Sequence, residues 1–82
     1  MKTIDVFFLE VKEITSKSGD NYSLVSYLYR DAFGYKLFES FCEPDAFKKK
    51  KPFDVVQLKG FWRKHTDKLG NEKWSFNILE VM

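Results

Sequence analysis

Five stretches rich in β-branched and aromatic residues, separated by clusters of turn formers, constrain this 82-residue chain most strongly. The first stretch, residues 3–14, places apolar side chains at every second position from Ile4 to Phe8. The alternation then resumes with the opposite parity from Leu9 to Val11. Period-two alternation is typical of a strand with one buried face, and one extra residue reverses the face that points inward. The stretch therefore predicts a long strand interrupted by a bulge.

The other four stretches are predicted strands because each is rich in β-favouring residues and is bounded by turn formers. They cover residues 22–31, 35–43, 53–64 and 73–82. Residues 31–34 predict a tight hairpin with Gly34 at its positive-φ position. Gly60 predicts a bulge or sharp bend in the fourth strand. Residues 16–21 and 66–71 are dense in turn-forming and polar residues and predict loops.

One short helix is expected between the third and fourth strands. Pro44 suits a first helical position, Asp45 suits the positive end of the helix, and Pro52 would stop it. The four lysines at positions 48–51 have two interpretations, a solvated helix end or a patch that contacts phosphate. Five strands with this helix placement are the element order of the OB-fold. The expected fold is therefore all-β: a single domain, residues 1–82, forming a five-stranded Greek-key OB-fold barrel with one short helix.

Composition narrows the function classes. Aromatic residues make up 18% of the chain, and the net charge is only +2, with twelve lysines among the fourteen cations. Lysine is a flexible point charge that suits phosphate better than the edges of bases. A single cysteine, Cys42, and a single histidine, His65, exclude a disulfide framework and a metal site built from His and Cys. The glycines are isolated, so no phosphate-binding loop is visible. We expect no enzymatic activity and no cofactor.

The location is expected to be cytoplasmic. The lone cysteine favours a reducing, intracellular compartment. No signal peptide is visible at the N-terminus. The longest apolar run, residues 6–9, is far shorter than the roughly 20 residues of a membrane-spanning helix. Membrane association is therefore not expected either.

Two segments resemble a known family. Residues 52–63 (PFDVVQLKGFWR), followed by 66–74 (TDKLGNEKW), resemble the fourth strand, long hairpin and fifth strand of single-stranded DNA-binding proteins. Residues 18–24 (SGDNYSL) are similar to the first hairpin of those proteins. They are also similar to the Gly-x-x-Tyr-Ser-Leu stretch of small helix-destabilising proteins from filamentous phages. Cellular members usually carry a linker and an acidic tail, and this chain stops after the last predicted strand. The resemblance implies a phage- or plasmid-type protein that coats DNA during replication or recombination.

Binding of a single strand without sequence preference requires flat rings for bases and dispersed cations for phosphates. In the OB-fold the usual platform is the face of the second and third strands, flanked by two hairpin loops. On the second strand we expect Leu24 and Leu28 to point into the barrel. Val25, Tyr27 and Tyr29 would then point outward.

On the third strand we expect Leu37 and Phe41 to point inward, which would place Lys36, Phe38 and Ser40 outward. The core is predicted to contain Phe41, Phe47, Phe53, Phe76 and Ile78.

Two tryptophans border this surface. Trp62 shares parity with buried positions of the fourth strand and is compatible with the platform or the core. Trp74 opens the last strand beside a basic loop and is expected to function in binding. The resemblance to the phage proteins implies a DNA-binding role for Tyr22 more strongly than for any other single residue. The predicted nucleic-acid-binding side chains are the following rings and cations: Lys17, Tyr22, Tyr27, Tyr29, Arg30, Tyr35, Lys36, Phe38, Arg63, Lys64, Lys68, Lys73 and Trp74.

The expected partner is single-stranded DNA, with single-stranded RNA as an alternative because the same rings would stack on it. No small-molecule substrate is expected. A homodimer or higher oligomer is expected, since linked sites raise avidity. A different function also fits, an OB-type protein-interaction module whose aromatic face binds a peptide or a partner protein. The modest net charge and the carboxylates Glu39, Glu43, Asp45 and Asp54 keep that alternative open.

Overall fold

A computed structural model describes all 82 residues and contains one antiparallel sheet. Its five strands are β1 (Lys2–Thr15), β2 (Asn21–Asp31), β3 (Gly34–Cys42), β4 (Val55–Thr66) and β5 (Glu72–Val81). The order across the sheet is β3-β2-β1-β4-β5, so β1 lies in the centre and pairs with both β2 and β4. Every predicted strand is confirmed to within two residues at each end.

The sheet curls until its two edge strands, β3 and β5, lie beside each other without joining in a backbone ladder. The molecule is therefore a curled half-barrel with an open seam, defined here as the line along which β3 faces β5. A side chain crosses this seam: the Ser40 hydroxyl donates to the Phe76 carbonyl oxygen over 2.7 Å.

The predicted bulge in β1 and the predicted hairpin are confirmed, whereas the bulge expected in β4 at Gly60 lies on the partner strand, with Leu79 of β5 as the extra residue. The pairing of β1 with β2 shifts between Phe8 and Glu10, which leaves Leu9 as the extra residue. The pairing of β4 with β5 shifts between Lys59 and Gly60. Gly34 has a φ of 120° in the β2–β3 hairpin, a value that favours glycine. Bulges increase local bending and twist, which lets a five-stranded sheet curl this far.

The predicted helix is wrong: the chain contains no helix, and residues 43–54 form a series of turns, the β3–β4 turn. Isolated backbone hydrogen bonds of the i to i+3 type, donated by Ala46, Lys48 and Lys50, take the place of a helical ladder. Helix nucleation is unfavourable in so short a segment. Phe47 is its only buried side chain, stacked on Phe8 with ring centroids 5.3 Å apart. The segment is held by this ring contact and by two backbone hydrogen bonds that join Phe53 and Asp54 to Phe8, rather than by an amphipathic helix.

The expected parity of β2 is also wrong. Val25 and Tyr27 are buried in the core, whereas Leu24 and Leu28 are on the outward side. Both parities of this strand carry apolar side chains, so hydrophobicity does not distinguish its two faces. The inward position gives the Tyr27 hydroxyl a hydrogen bond to Ser40 Oγ at 2.6 Å. The nine apolar side chains of the core are Ile4, Val6, Phe8, Val25, Tyr27, Phe47, Val56, Leu58 and Phe76.

The parity of β3 is reversed for the same reason, because antiparallel pairing joins Tyr27 to Phe38. Phe38 faces inward against the core and Ser40 is buried. Leu37 and Phe41, predicted to be inside, are 62% and 69% exposed.

Of the remaining side chains predicted to lie in the core, some are buried and one is exposed. Phe47 and Phe76 are buried as expected, and Ile78 is partly buried against the core. Phe53, placed in the core by the sequence, is exposed in the turn before β4. Trp62 faces inward, with its ring centroid 5.0 Å from that of Phe76.

A buried chain of hydrogen bonds runs from the Tyr27 hydroxyl through Ser40 Oγ to the Phe76 carbonyl. Burial raises the pKa of Tyr27, so the hydroxyl stays protonated. We expect Ser40→Ala to lower the free energy of unfolding by about 1–3 kcal/mol, because it leaves buried groups without partners. Tyr27→Phe should cost less, about 1 kcal/mol, since Ser40 keeps its bond to Phe76.

Chemical denaturation of both single variants and the double variant measures this coupling. Because the groups form one chain, the double variant should lose less stability than the two single losses added together. Strict additivity would contradict the proposed coupling across the seam.

The structure contains no helix that is long enough and apolar enough to cross a bilayer.

Candidate nucleic-acid interface

Side chains that project from β2 and β3 away from the core form one surface, which we call the outer face. Its members alternate along the strands with the core residues: Tyr22, Leu24, Leu28, Arg30, Tyr35, Leu37 and Phe41. At one end, the rings of Tyr22 and Phe41 meet edge to face with centroids 5.5 Å apart. At the other end, the Arg30 guanidinium lies 6.0 Å from the centroid of the Tyr35 ring. The two ends are eight residues apart on β2, from Tyr22 to Arg30, and six apart on β3, from Tyr35 to Phe41, which corresponds to about 20–27 Å.

A second surface, the seam groove, lies between the edge of β3 and the β4–β5 hairpin. Its floor is an aromatic cluster of Tyr29, Phe38 and Trp62. The Trp62 ring centroid is 5.2 Å from that of Tyr29 and 5.3 Å from that of Phe38. At the rim, the Trp74 ring is 55% exposed and the Lys64 ammonium lies 5.8 Å from its centroid. The groove thus has a packed aromatic floor and one free ring at its edge.

Three lysines at the groove are paired with carboxylates. Lys36 binds Asp31 at 3.1 Å, Lys64 binds Glu72 at 2.8 Å, and Lys73 binds Asp67 at 3.8 Å. Ion pairs this exposed contribute about 0–1 kcal/mol each, so a phosphate can replace the carboxylate at little cost.

Glu39 is the one carboxylate lining the groove that makes no ion pair. The groove is therefore of mixed charge, neither acidic nor strongly basic.

Four of the predicted cations form no ion pair: Lys17, Arg30, Arg63 and Lys68. Lys17 lies in the β1–β2 loop and Lys68 in the β4–β5 loop, at the two hairpins. Arg63, on β4, and Phe41, on β3, line the same pocket at the seam. These cations surround the exposed rings rather than forming one basic patch.

Two aspartates order the hairpins next to this surface. The backbone N–H of Phe33 donates to Asp31, and together with Lys36 it holds the pKa of Asp31 below its ordinary value. The backbone N–H groups of Asn71 and Leu69 lower the pKa of Asp67 in the same way. Both carboxylates stay ionised at neutral pH and fix the loops from within.

The structure divides the predicted site residues into separate groups. Tyr22, Arg30 and Tyr35 are together on the outer face. The groove contains a second group: Tyr29, Lys36, Phe38, Lys64, Lys73 and Trp74. Arg63 lies between these two surfaces, and Lys17 and Lys68 are in the loops. The expected outward orientation is wrong for Tyr27, Tyr29 and Phe38, which share the inward parity. Tyr29 and Phe38 are partly buried in the groove floor, whereas Tyr27 is 1% exposed and its ring has no face free for a base.

Sequence reasoning missed two exposed members of the outer face, Phe41 and Leu37. The available signal was the hydroxyl of Ser40, one residue from Phe41. A small polar side chain in a narrow core is favourable when it pairs with a tyrosine on the neighbouring strand. That pairing would have assigned Ser40 to the interior and Phe41 to the surface.

Burial raises the pKa of the Cys42 thiol, which therefore stays protonated and is not activated as a nucleophile. No three or more His, Cys, Asp or Glu side chains cluster in a way that could hold a metal ion. The chain matches no model of a known protein family, and no curated protein is significantly similar to it. The exposed rings and cations are therefore the observations on which a function can be argued.

Proposed function

We propose that this chain is an OB-fold protein that binds single-stranded DNA without sequence preference and coats exposed strands during replication or recombination. The strand order supports the fold assignment, since a central β1 pairs with β2 and β4 while β3 approaches β5. In OB-folds the face of strands 2 and 3, together with the loops of the first and last hairpins, binds oligonucleotides. The outer face and the two hairpin loops occupy these positions here.

The observation that carries the proposal is a set of four solvent-exposed rings, three on the outer face and one at the rim of the seam groove. Tyr22, Tyr35 and Phe41 project from the outer face, and Trp74 is at the rim of the seam groove. Stacking of a base on an aromatic ring contributes about 1–3 kcal/mol and tolerates any base. A contiguous exposed apolar surface often marks a binding site, and the Tyr22 and Phe41 rings, in contact with each other beside Leu24, provide one.

The cations support a backbone-directed mode of binding. Arg30 lies over the Tyr35 ring, Arg63 lines the same pocket as Phe41, and neither arginine has a carboxylate partner. Lys17 and Lys68 extend from the flanking loops. Cations placed around rings neutralise phosphates without reading base edges, which accounts for a lack of sequence preference. We propose further that neighbouring protomers associate on a long strand, because linked sites raise avidity.

The second candidate is a protein-interaction module, and the apolar part of the outer face favours it. Leu28 and Leu37 are cross-strand partners, and Phe7 lies opposite Leu28 on β1. This row of apolar side chains could contact a partner protein. Such binding would depend on apolar burial and would change little with salt, whereas binding to phosphates must weaken as salt rises.

Titration of the intrinsic tryptophan fluorescence with oligo-dT tests the proposal. Trp74 is exposed and should change its emission when a base stacks on it. Neutralisation of about four phosphates predicts a slope near −3 for the logarithm of affinity against that of salt. Affinity should then fall some tens-fold between about 50 and 200 mM salt.

A Trp74→Phe variant is the optical control, because its remaining signal comes from Trp62 in the groove floor. Unchanged emission and no salt-dependent binding of a labelled oligo-dT would contradict the proposal and favour the protein-interaction module. Competition between oligo-dT and oligo-U decides between DNA and RNA as the preferred strand.

A further inference from the structure

Four consecutive lysines, residues 48–51, lie in the β3–β4 turn away from the proposed interface. None of them forms an ion pair, although the chain has twelve acidic residues. Lys48, Lys49 and Lys51 are exposed and Lys50 is half-buried. We call residues 48–51 the tetralysine turn. It is the longest run of like charge in the chain.

The backbone of the tetralysine turn is fixed to the core. Phe47, directly before it, is 4% exposed and stacks on Phe8. The Lys50 N–H donates to the Phe47 carbonyl over 3.0 Å, and the Lys51 N–H donates to Asp54 Oδ2 over 2.9 Å. Binding of a polyanion would therefore order only the lysine side chains, which keeps the entropic cost of association low.

Carboxylates separate the tetralysine turn from the seam groove. Glu43 and Glu80 line the far end of the seam, beside Ala46. Asp45 is exposed in the turn itself. A strand bound along the outer face would have to pass these negative charges to reach the lysines. The lysines are therefore not a continuation of the first interface.

We propose that the tetralysine turn is a second phosphate-binding site, which holds a different backbone segment of a bound single strand. This inference rests on the proposed function, because the outer face must bind the first segment. A short oligonucleotide occupies the outer face alone. A long strand reaches both sites and bends around the molecule between them.

Oligo-dT of about 8 and about 40 nucleotides separates the two sites, since OB-folds cover about 4–16 nucleotides. The test variant combines Lys48→Gln, Lys49→Gln and Lys51→Gln and leaves half-buried Lys50 in place. The control variant combines Lys2→Glu and Lys59→Gln, on β1 and β4, away from the outer face. Both variants lower the net charge by three, so the general electrostatic attraction to DNA is reduced equally.

The test variant should bind the short oligonucleotide as the control variant does. Its salt slope for the long one should be smaller by about 2, because each lost phosphate contact removes about 0.7. The fall in affinity between about 50 and 200 mM salt should then be roughly twentyfold smaller than for the unmodified protein. Equal behaviour of the test and control variants on the long strand would overturn the inference.

The two proposals fail in different ways. If the unmodified protein does not bind the short oligonucleotide, the outer-face proposal fails. If it binds the short oligonucleotide and the lysine changes have no specific effect on the long one, only the second site is wrong. A Tyr22→Ala, Trp74→Ala protein gives an independent measurement. Its residual binding to the long strand should be reduced by the three lysine changes and not by the control set.

Discussion

Replacement of Gly60 by alanine is expected to lower the free energy of unfolding by about 3 kcal/mol or more, although it adds one methyl group. Gly60 is buried on β4 opposite a bulge in β5, where Leu79 is the extra residue. A Cβ at this position would overlap the Asn77 carbonyl oxygen and would lie 3.1 Å from Cε2 of Phe76. The obstacle is the backbone of β5, which cannot rotate away as a side chain would. Relief of the overlap therefore requires β5 to shift and the core around Phe76 to repack.

Gly19→Ala is the matched control for this prediction. Gly19 has a φ of 89° in the β1–β2 loop, and no atom lies within 4 Å of a Cβ built there. The loss of stability for Gly19→Ala should come only from the left-handed backbone conformation that alanine must adopt, about 1–2 kcal/mol. Chemical denaturation of the two variants separates steric overlap from loss of glycine's conformational freedom. A loss for Gly60→Ala no larger than that for Gly19→Ala would show that β4 is not tightly packed against β5 at Gly60.

Removal of two exposed rings together, Tyr22→Ala and Trp74→Ala, should weaken binding of oligo-dT by roughly 30-fold to 10⁴-fold. The range follows from about 1–3 kcal/mol for each stacked base, or 2–6 kcal/mol for two. Neither side chain belongs to the core, so stability should change little. The anisotropy of a labelled oligonucleotide is the suitable measurement, because the variant lacks the Trp74 fluorophore.

Phe33→Ala is the matched control for the ring variants. The Phe33 ring is 93% exposed at the tip of the β2–β3 hairpin and is in contact with no other ring. Its removal eliminates an exposed aromatic side chain without changing the outer face or the seam groove. Equal losses of affinity for this control and the double variant would indicate nonspecific hydrophobic attraction. No loss in the double variant would contradict stacking on these rings.

Local features of the sequence predicted the local features of the fold. The reversed parity at Leu9 predicted the bulge in β1, which is confirmed, and Gly60 marked the position where the pairing of β4 with β5 shifts, although the extra residue there is Leu79 of β5. The position of Gly34 predicted the β2–β3 hairpin, where φ is 120°. Each of these features follows from residues within a few positions of one another, where alternation and glycine's backbone freedom act directly.

The candidate site was predicted only in part. The sequence selected Tyr22, Tyr35 and Trp74, which are exposed, because each begins a strand beside a turn or loop. It also selected Tyr27, which is buried, and it assigned Phe41 to the core, although that ring is exposed. The errors occur in the middle and at the far end of β2 and β3, where a ring suits either face of the sheet.

The sequence by itself determined where the strands begin, bend and end, since those properties depend on neighbouring residues. Only the tertiary structure decided which face of β2 closes the half-barrel, because both faces are apolar and their burial depends on strands far away in the chain. The choice depends on contacts such as Tyr27 with Ser40, and Ser40 with Phe76 across the seam. Tertiary contacts also decided the conformation of the β3–β4 turn. Phe47 packs on Phe8 from β1, and Phe53 and Asp54 form backbone hydrogen bonds with Phe8; these distant contacts replace the helix that the local sequence favoured.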